Sequence, residues 1–149
     1  MATVSPWYEQ VRRALIVDPL NRDPRETHQN GMRLGKPSSW IFQHAIGGGQ
    51  ADFDQPIGDL SARHRVLLYA LFNQKGHVPE LIHAFERLVD RPQRMNGATM
   101  LDIGCGPFTA GLALGNVVGN EVPFHYFVSV WPSHLEAAGP VGKDRVHVT

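Results

Sequence analysis

The chain has 149 residues, with 14 basic and 14 acidic side chains balancing to zero formal charge. That length suits one domain with one main core, and balanced charge supplies no field to gather nucleic acid or an anionic membrane. The one cysteine, Cys105, excludes an internal disulfide framework and a multi-cysteine zinc site and fits a reducing compartment.

At the N-terminus, MATVSPWYEQ lacks an apolar signal core, and the run from Ala14 to Val17 is too short to span a bilayer. The expectation is a soluble cytoplasmic protein with no membrane partner. Ser5 followed by Pro6 predicts a helix start, because Ser can cap free N–H groups and Pro is tolerated at the first helical position. Trp7, Val11 and Leu15 then share a face, and Asp18-Pro19 predicts the end of that helix. The stretch 18–60 is punctuated by prolines and glycines and reads as mostly irregular, with one short helix from Ser39 through Ala45 halted by Gly47.

Two stronger helices follow. Ser61 is placed to cap a segment in which Val66, Leu67, Tyr69, Ala70 and Leu71 cover most of the circumference, predicting a largely buried helix. Lys75-Gly76-His77 predicts a break. Beyond it, Leu81, Ile82, Phe85, Leu88 and Val89 form an amphipathic stripe that Arg91-Pro92 closes. After Asn96-Gly97 the pattern changes. Residues 98–103 are a short apolar run, 107–118 read as a helix, and Phe124 to Val130 are aromatic and β-branched. Ser133 to Ala138 allow a brief helix, and Arg145 to Thr149 alternate like a strand. Strand, helix, strand, helix, strand predicts the start of a parallel sheet.

The stretch LDIGCGPFTAG, Leu101 to Gly111, sets an acidic residue at a strand end, then Gly104 and Gly106, then a helix start. Glycines let a backbone turn sharply and approach a ligand, and a helix N-terminus offers free N–H groups to a carboxylate. A glycine-rich turn alone serves nicotinamide and flavin enzymes equally and also occurs with no ligand at all. Asp102, two residues before Gly104, is the discriminating element.

With it, DIGCGP resembles motif I of class I S-adenosylmethionine-dependent methyltransferases. By that resemblance Asp102, Gly104, Cys105 and Gly106, followed by Pro107, line the methionine end of the cofactor S-adenosylmethionine. FHYFVSVWPSHLEAAG and DRVHVT resemble the family's second strand with its helix and its third strand, which puts Ser129 at the position of the ribose-binding acid. Ser129 is a weaker partner there than a carboxylate. Phe108 stands at the third motif glycine, so its ring must pack between helix and sheet or crowd the cofactor. The implied fold is α/β: a mainly helical region over residues 1–95, then a partial Rossmann-like methyltransferase sheet of about three parallel strands over 96–149. By the same resemblance the chain stops after the third strand, before the family's adenine loop and substrate side. LLYALFNQKGHVPELIHAF, residues 67–85, resembles the helical extension of some bacterial methyltransferases and would bring Tyr69, Asn73, Lys75 and His77 to the site mouth. The alternative is a solvated inter-helix turn.

Three further signals carry less. The pairs His77 with His83 and His125 with His134 lack the spacing and companions of a metal site, so no metal is expected. Cys105 near a helix start reads as a packing residue, and Gly47 to Gly49 as a flexible connector without a phosphate-loop lysine. The functional expectation is a methyltransferase, or a truncated homologue that binds S-adenosylmethionine, with unassigned catalytic residues and methyl acceptor. The alternatives are a non-catalytic interaction protein, dimerising or docking on a full-length relative through an open sheet edge, and a nicotinamide-binding module.

Overall fold

Ser5 begins the fold as its place before Pro6 predicts. In the computed structural model, which describes residues 4–27, 31–88, 99–103, 106–118, 124–128 and 146–148, its side chain accepts from the Tyr8 N–H and Pro6 opens α1, Pro6–Arg12. The helical path does not stop at Asp18-Pro19. It widens into a π-helical turn, Arg13–Val17, and continues as α2, Asp18–Asn21, with Pro19 in the first turn. The physical reason is that the π turn just before Pro19 has already shifted the helix out of its regular bonding pattern, the setting in which a proline is accommodated.

The stretch expected to be mostly irregular supplies much of the main core. Leu34 (φ +47°) and Gly35 (φ +72°) turn a short antiparallel pair, β1 (Met32–Arg33) and β2 (Lys36–Pro37). Glu26 braces that turn by accepting from the Leu34 N–H at 3.1 Å and pairing with Arg33. A helical run then follows as α3, Ser38–Trp40, and a π turn, Ile41–Ala45. Gly47–Gly49, expected as a connector, forms a 3-10 turn with all three glycines at positive φ. Leu20, Leu34, Ile41, Ile46, Phe53, Leu60, Val66 and Leu68 are fully or nearly fully buried in one cluster.

Ser61 caps α4, Ala62–Tyr69, by accepting from the His64 N–H, while the His64 ring accepts from the Ser61 N–H. Buried Arg65 closes the preceding loop: Nε donates to the Ala45 carbonyl at 2.8 Å and Nη1 to the carbonyls of Asp52 and Gln55. The break expected at Lys75-Gly76-His77 is absent. A π turn, Ala70–Gln74, runs straight into α5, Lys75–Leu88, with Pro79 inside it. Such turns shift a helix out of its regular bonding pattern, the setting in which an internal proline is accommodated. The α5 stripe buries Val78 and Ile82 and half-buries Leu81 and Phe85, but Leu88 is 77% exposed. Val89 and Arg91-Pro92 lie outside the described residues.

Next come β3 (Thr99–Ile103), α6 (Thr109–Val118), β4 (Phe124–Val128) and β5 (Val146–Val148), the strands in parallel register in the order β3-β4-β5. The expected α/β class with a partial Rossmann-like sheet is nevertheless corrected. Helices dominate the described residues, and the sheet structure is an antiparallel pair and three short strands. In a Rossmann-like unit the helices cover the faces of the sheet. Here α6 packs chiefly on α5 and α1, and Leu101 of β3 is 59% exposed. The cause lies in α6 itself, which is buried without interruption from Gly111 to Gly115 and shares a second core with Tyr8, Val78, Ile82 and Phe108. The Ser5 N–H also donates to Asn116 Oδ1 at 2.6 Å, tying the start of α1 to α6. The helix expected at Ser133 to Ala138 lies outside the described residues.

Candidate functional site

Asp102 sits near the end of β3, opposite Phe127 of β4. Its Oδ2 is buried and has no hydrogen-bond partner among the described residues, and burial pushes the carboxyl above the usual range. Four residues on, Gly106 adopts φ +53°, a conformation that disfavours any side chain. A Cβ there would meet nothing within 4 Å, so glycine is required by the backbone and not by crowding. Pro107 is buried, and α6 starts at Thr109.

Above this turn lies a cavity of about 350 Å³. Asp102, Gly106, Thr109 and Ala110 form one wall; Tyr69, His77, Glu80 and Leu81 form the other. The helical region thus contributes half of the lining, and of the residues expected at the mouth it brings Tyr69 and His77 to it. Lys75 is exposed and Asn73 half-buried, and neither is part of the lining. Tyr69 is held from behind by the Phe53 ring in an edge-on contact and by the glycine turn, where a Cβ on Gly49 would come within 3.3 Å of the tyrosine ring. His77 Nδ1 stands 3.5 Å from Glu80 Oε2, one helical turn on, and both side chains are largely exposed.

Phe108 does not crowd the cavity. It takes φ +68°, and its ring lies on Gly111, where a Cβ would fall 2.0 Å from the ring edge. The ring is buried in the helix core with Val78, Ile82 and Leu112, and it is not part of the cavity lining. The left-handed backbone costs roughly 1–2 kcal/mol for a residue with a side chain, and burial of a large ring offsets it.

Of the cofactor-binding residues expected from sequence, Asp102 and Gly106 line the cavity and Pro107 packs beneath it. Gly104, Cys105 and Ser129 lie outside the described residues. Sequence reasoning missed Glu80, Leu81, Thr109 and Ala110, and it missed buried Gln74, which contacts the turn from α5's side. The i, i+3 spacing of His77 and Glu80 and the place of Thr109 and Ala110 at the helix start after Gly106 were the local signals; Leu81 and Gln74 depend on how two distant segments meet. His77 and His83 both lie on α5 and His125 on β4, while His134 lies outside the described residues. No cluster of three or more His, Cys, Asp or Glu side chains occurs among the described residues. Among them, no helix is long and apolar enough to cross a membrane.

Comparison of the chain with protein-family models, with curated proteins and with solved structures finds no match.

Proposed function

We propose that this cavity binds S-adenosylmethionine, and that the chain is a methyltransferase or a homologue of one that retains the cofactor. The observation that carries the reading is the Oδ2 of Asp102, buried with no partner among the described residues, beside the Gly106 turn and the start of α6. A desolvated carboxylate favours a ligand that brings a cation or hydrogen-bond donors. The first N–H groups of α6 favour an anion. A zwitterionic amino-acid end, ammonium and carboxylate together, satisfies both at once. The cavity falls within the roughly 300–1,000 Å³ typical of small-molecule sites.

The reading rests on this turn and its cavity, not on a Rossmann-like sheet. Asp102 would take the ammonium, and Gly106, Thr109 and Ala110 the backbone side of the ligand. Once bound, the cofactor supplies an electrophilic methyl group on sulfur for in-line transfer to an O, N or C atom. Tyr69, His77 and Leu81 then stand where a methyl acceptor would enter, and the helical wall excludes water from it. A cytoplasmic location belongs to the same reading and is supported by the lone cysteine.

Calorimetric titration of the full chain with S-adenosylmethionine and S-adenosylhomocysteine tests this directly, with saturable heat expected. Folded protein that gives no heat at millimolar ligand refutes it, and saturation by NAD or NADP instead would assign a nicotinamide site. A second reading, a non-catalytic partner protein, is favoured by β3. Among the described residues it stands at one end of the strand order with Leu101 exposed, and an open strand edge recruits pairing. Analytical ultracentrifugation checks it, and a monomer at every concentration counts against it.

A further inference from the structure

Gln74 ends the π turn ahead of α5 and is completely buried, an unusual place for a carboxamide. Its Nε2 donates to the Pro107 carbonyl at 2.7 Å and lies 3.4 Å from the Thr109 hydroxyl, which it also bonds. Those two acceptors flank Phe108, the residue in the left-handed conformation, and follow directly on Gly106, which is left-handed as well. Gln74 Oε1 is buried without a partner among the described residues. A helical segment thus spends one buried amide on holding a turn that the local chain does not favour. Strained backbone of this kind persists only where its surroundings over-determine it, and π turns recur at functional sites.

We propose that Gln74 is a positioning residue for the cavity. Its amide holds the turn from Gly106 to Thr109 in the one shape that aims Gly106, Thr109 and Ala110 at the same ligand as Asp102. The identity of that ligand rests on the S-adenosylmethionine reading; the clamp itself does not. Gln74→Met keeps the length of the side chain and removes the donor. Gln74→Glu donates when its carboxyl is protonated and repels the Pro107 carbonyl when ionised, so its effect carries a pH signature that a space-filling role lacks.

Hydrogen-exchange mass spectrometry on the full chain is the first test. In Q74M, amides of residues 106–112 are expected to exchange about tenfold faster than in wild type, with residues 6–21 unchanged. Unchanged exchange across 106–112 in folded Q74M overturns the clamp, whatever the wild type binds. Titration with S-adenosylhomocysteine is the second. Q74M is expected to bind about tenfold more weakly, and Q74E to match wild type at pH 5 and fall about tenfold below it at pH 9. Wild-type affinity in both variants at both pH values overturns the positioning role. Absence of heat with the wild type itself overturns the cofactor reading and leaves the clamp to be decided by exchange. If Q74M does not fold, the exchange of Q74E relative to wild type at pH 5 and pH 9 takes its place. Failure of both variants to fold at either pH overturns the proposal in favour of a purely structural glutamine.

Discussion

Replacing Asp102 with Asn is expected to move stability and ligand binding in opposite directions. Oδ2 of Asp102 is buried without a partner among the described residues, and burial raises the carboxyl above the usual range. The folded protein therefore holds this proton more tightly than the unfolded chain does. Ionising the group costs native stability: the cost is absent below the unfolded value and is complete once the pH has risen through the folded one. Asn has no charge to desolvate. At pH 8 the Asp102→Asn variant should be more stable by about 1 kcal/mol, the low end of the penalty for an unsatisfied buried polar group, since the side chain as a whole is only half-buried. That corresponds to about 2–4 °C in Tm for a chain of this size, and the gain should shrink as the pH approaches the carboxylate range. Binding of S-adenosylhomocysteine should weaken, because a hydrogen bond to a charged group is worth about 1.5–3 kcal/mol, or roughly 10- to 100-fold in Kd. Thermal melts by circular dichroism at several pH values, with calorimetric titration at pH 8, read both effects. A variant less stable than wild type at pH 8 would show that the carboxylate already has a stabilising partner. Undiminished affinity would show that it does not touch the ligand.

Other substitutions probe the frame around the cavity. Gly111→Ala places a Cβ 2.0 Å from the buried Phe108 ring and should cost about 1–3 kcal/mol in urea denaturation, with most of the clash relieved in a Gly111→Ala, Phe108→Gly double variant. Gly106→Ala meets no atom, so only the positive φ is penalised; a loss of about 1 kcal/mol is expected, together with weaker binding of S-adenosylhomocysteine by calorimetry. Arg65→Lys keeps the charge but not the fork that joins the carbonyls of Ala45, Asp52 and Gln55, and a loss of about 2 kcal/mol is expected by chemical denaturation. The Arg25 guanidinium beside Asp23 holds its carboxyl well below the usual range, so the pair's contribution is present above the unfolded value and lost as pH falls through the folded one. Asp23→Asn should accordingly flatten the acid limb of a stability profile, and an unaltered limb would refute that role.

Several features were legible in the residues because their physics is local. Ser5 before Pro6 and Ser61 before α4 cap as expected, since a cap needs only a side-chain oxygen and the next turn of backbone. The pattern after residue 98 locates β3, α6, β4 and β5 closely, and the motif pairs Asp102 with Gly106, which share the cavity. The same local rules misread Pro19 and Gly76, where π turns carry the helix past residues that would interrupt a regular one. They also missed that 18–60 feeds the main core, because Leu20, Leu34, Ile46, Phe53 and Leu60 fall on separate turns and short elements and come together only in the folded cluster. Only the tertiary structure decided what α6 packs against. Its continuous apolar run fits a sheet or a helix equally well, and contact with Tyr8, Val78 and Ile82 turned it toward the helices. Tertiary packing likewise settled Phe108, whose ring finds room only because Gly111 has no side chain. It also brought Gln74, thirty-three positions before Pro107, to the turn, a meeting set by how α5 packs on α6 and invisible to any local pattern.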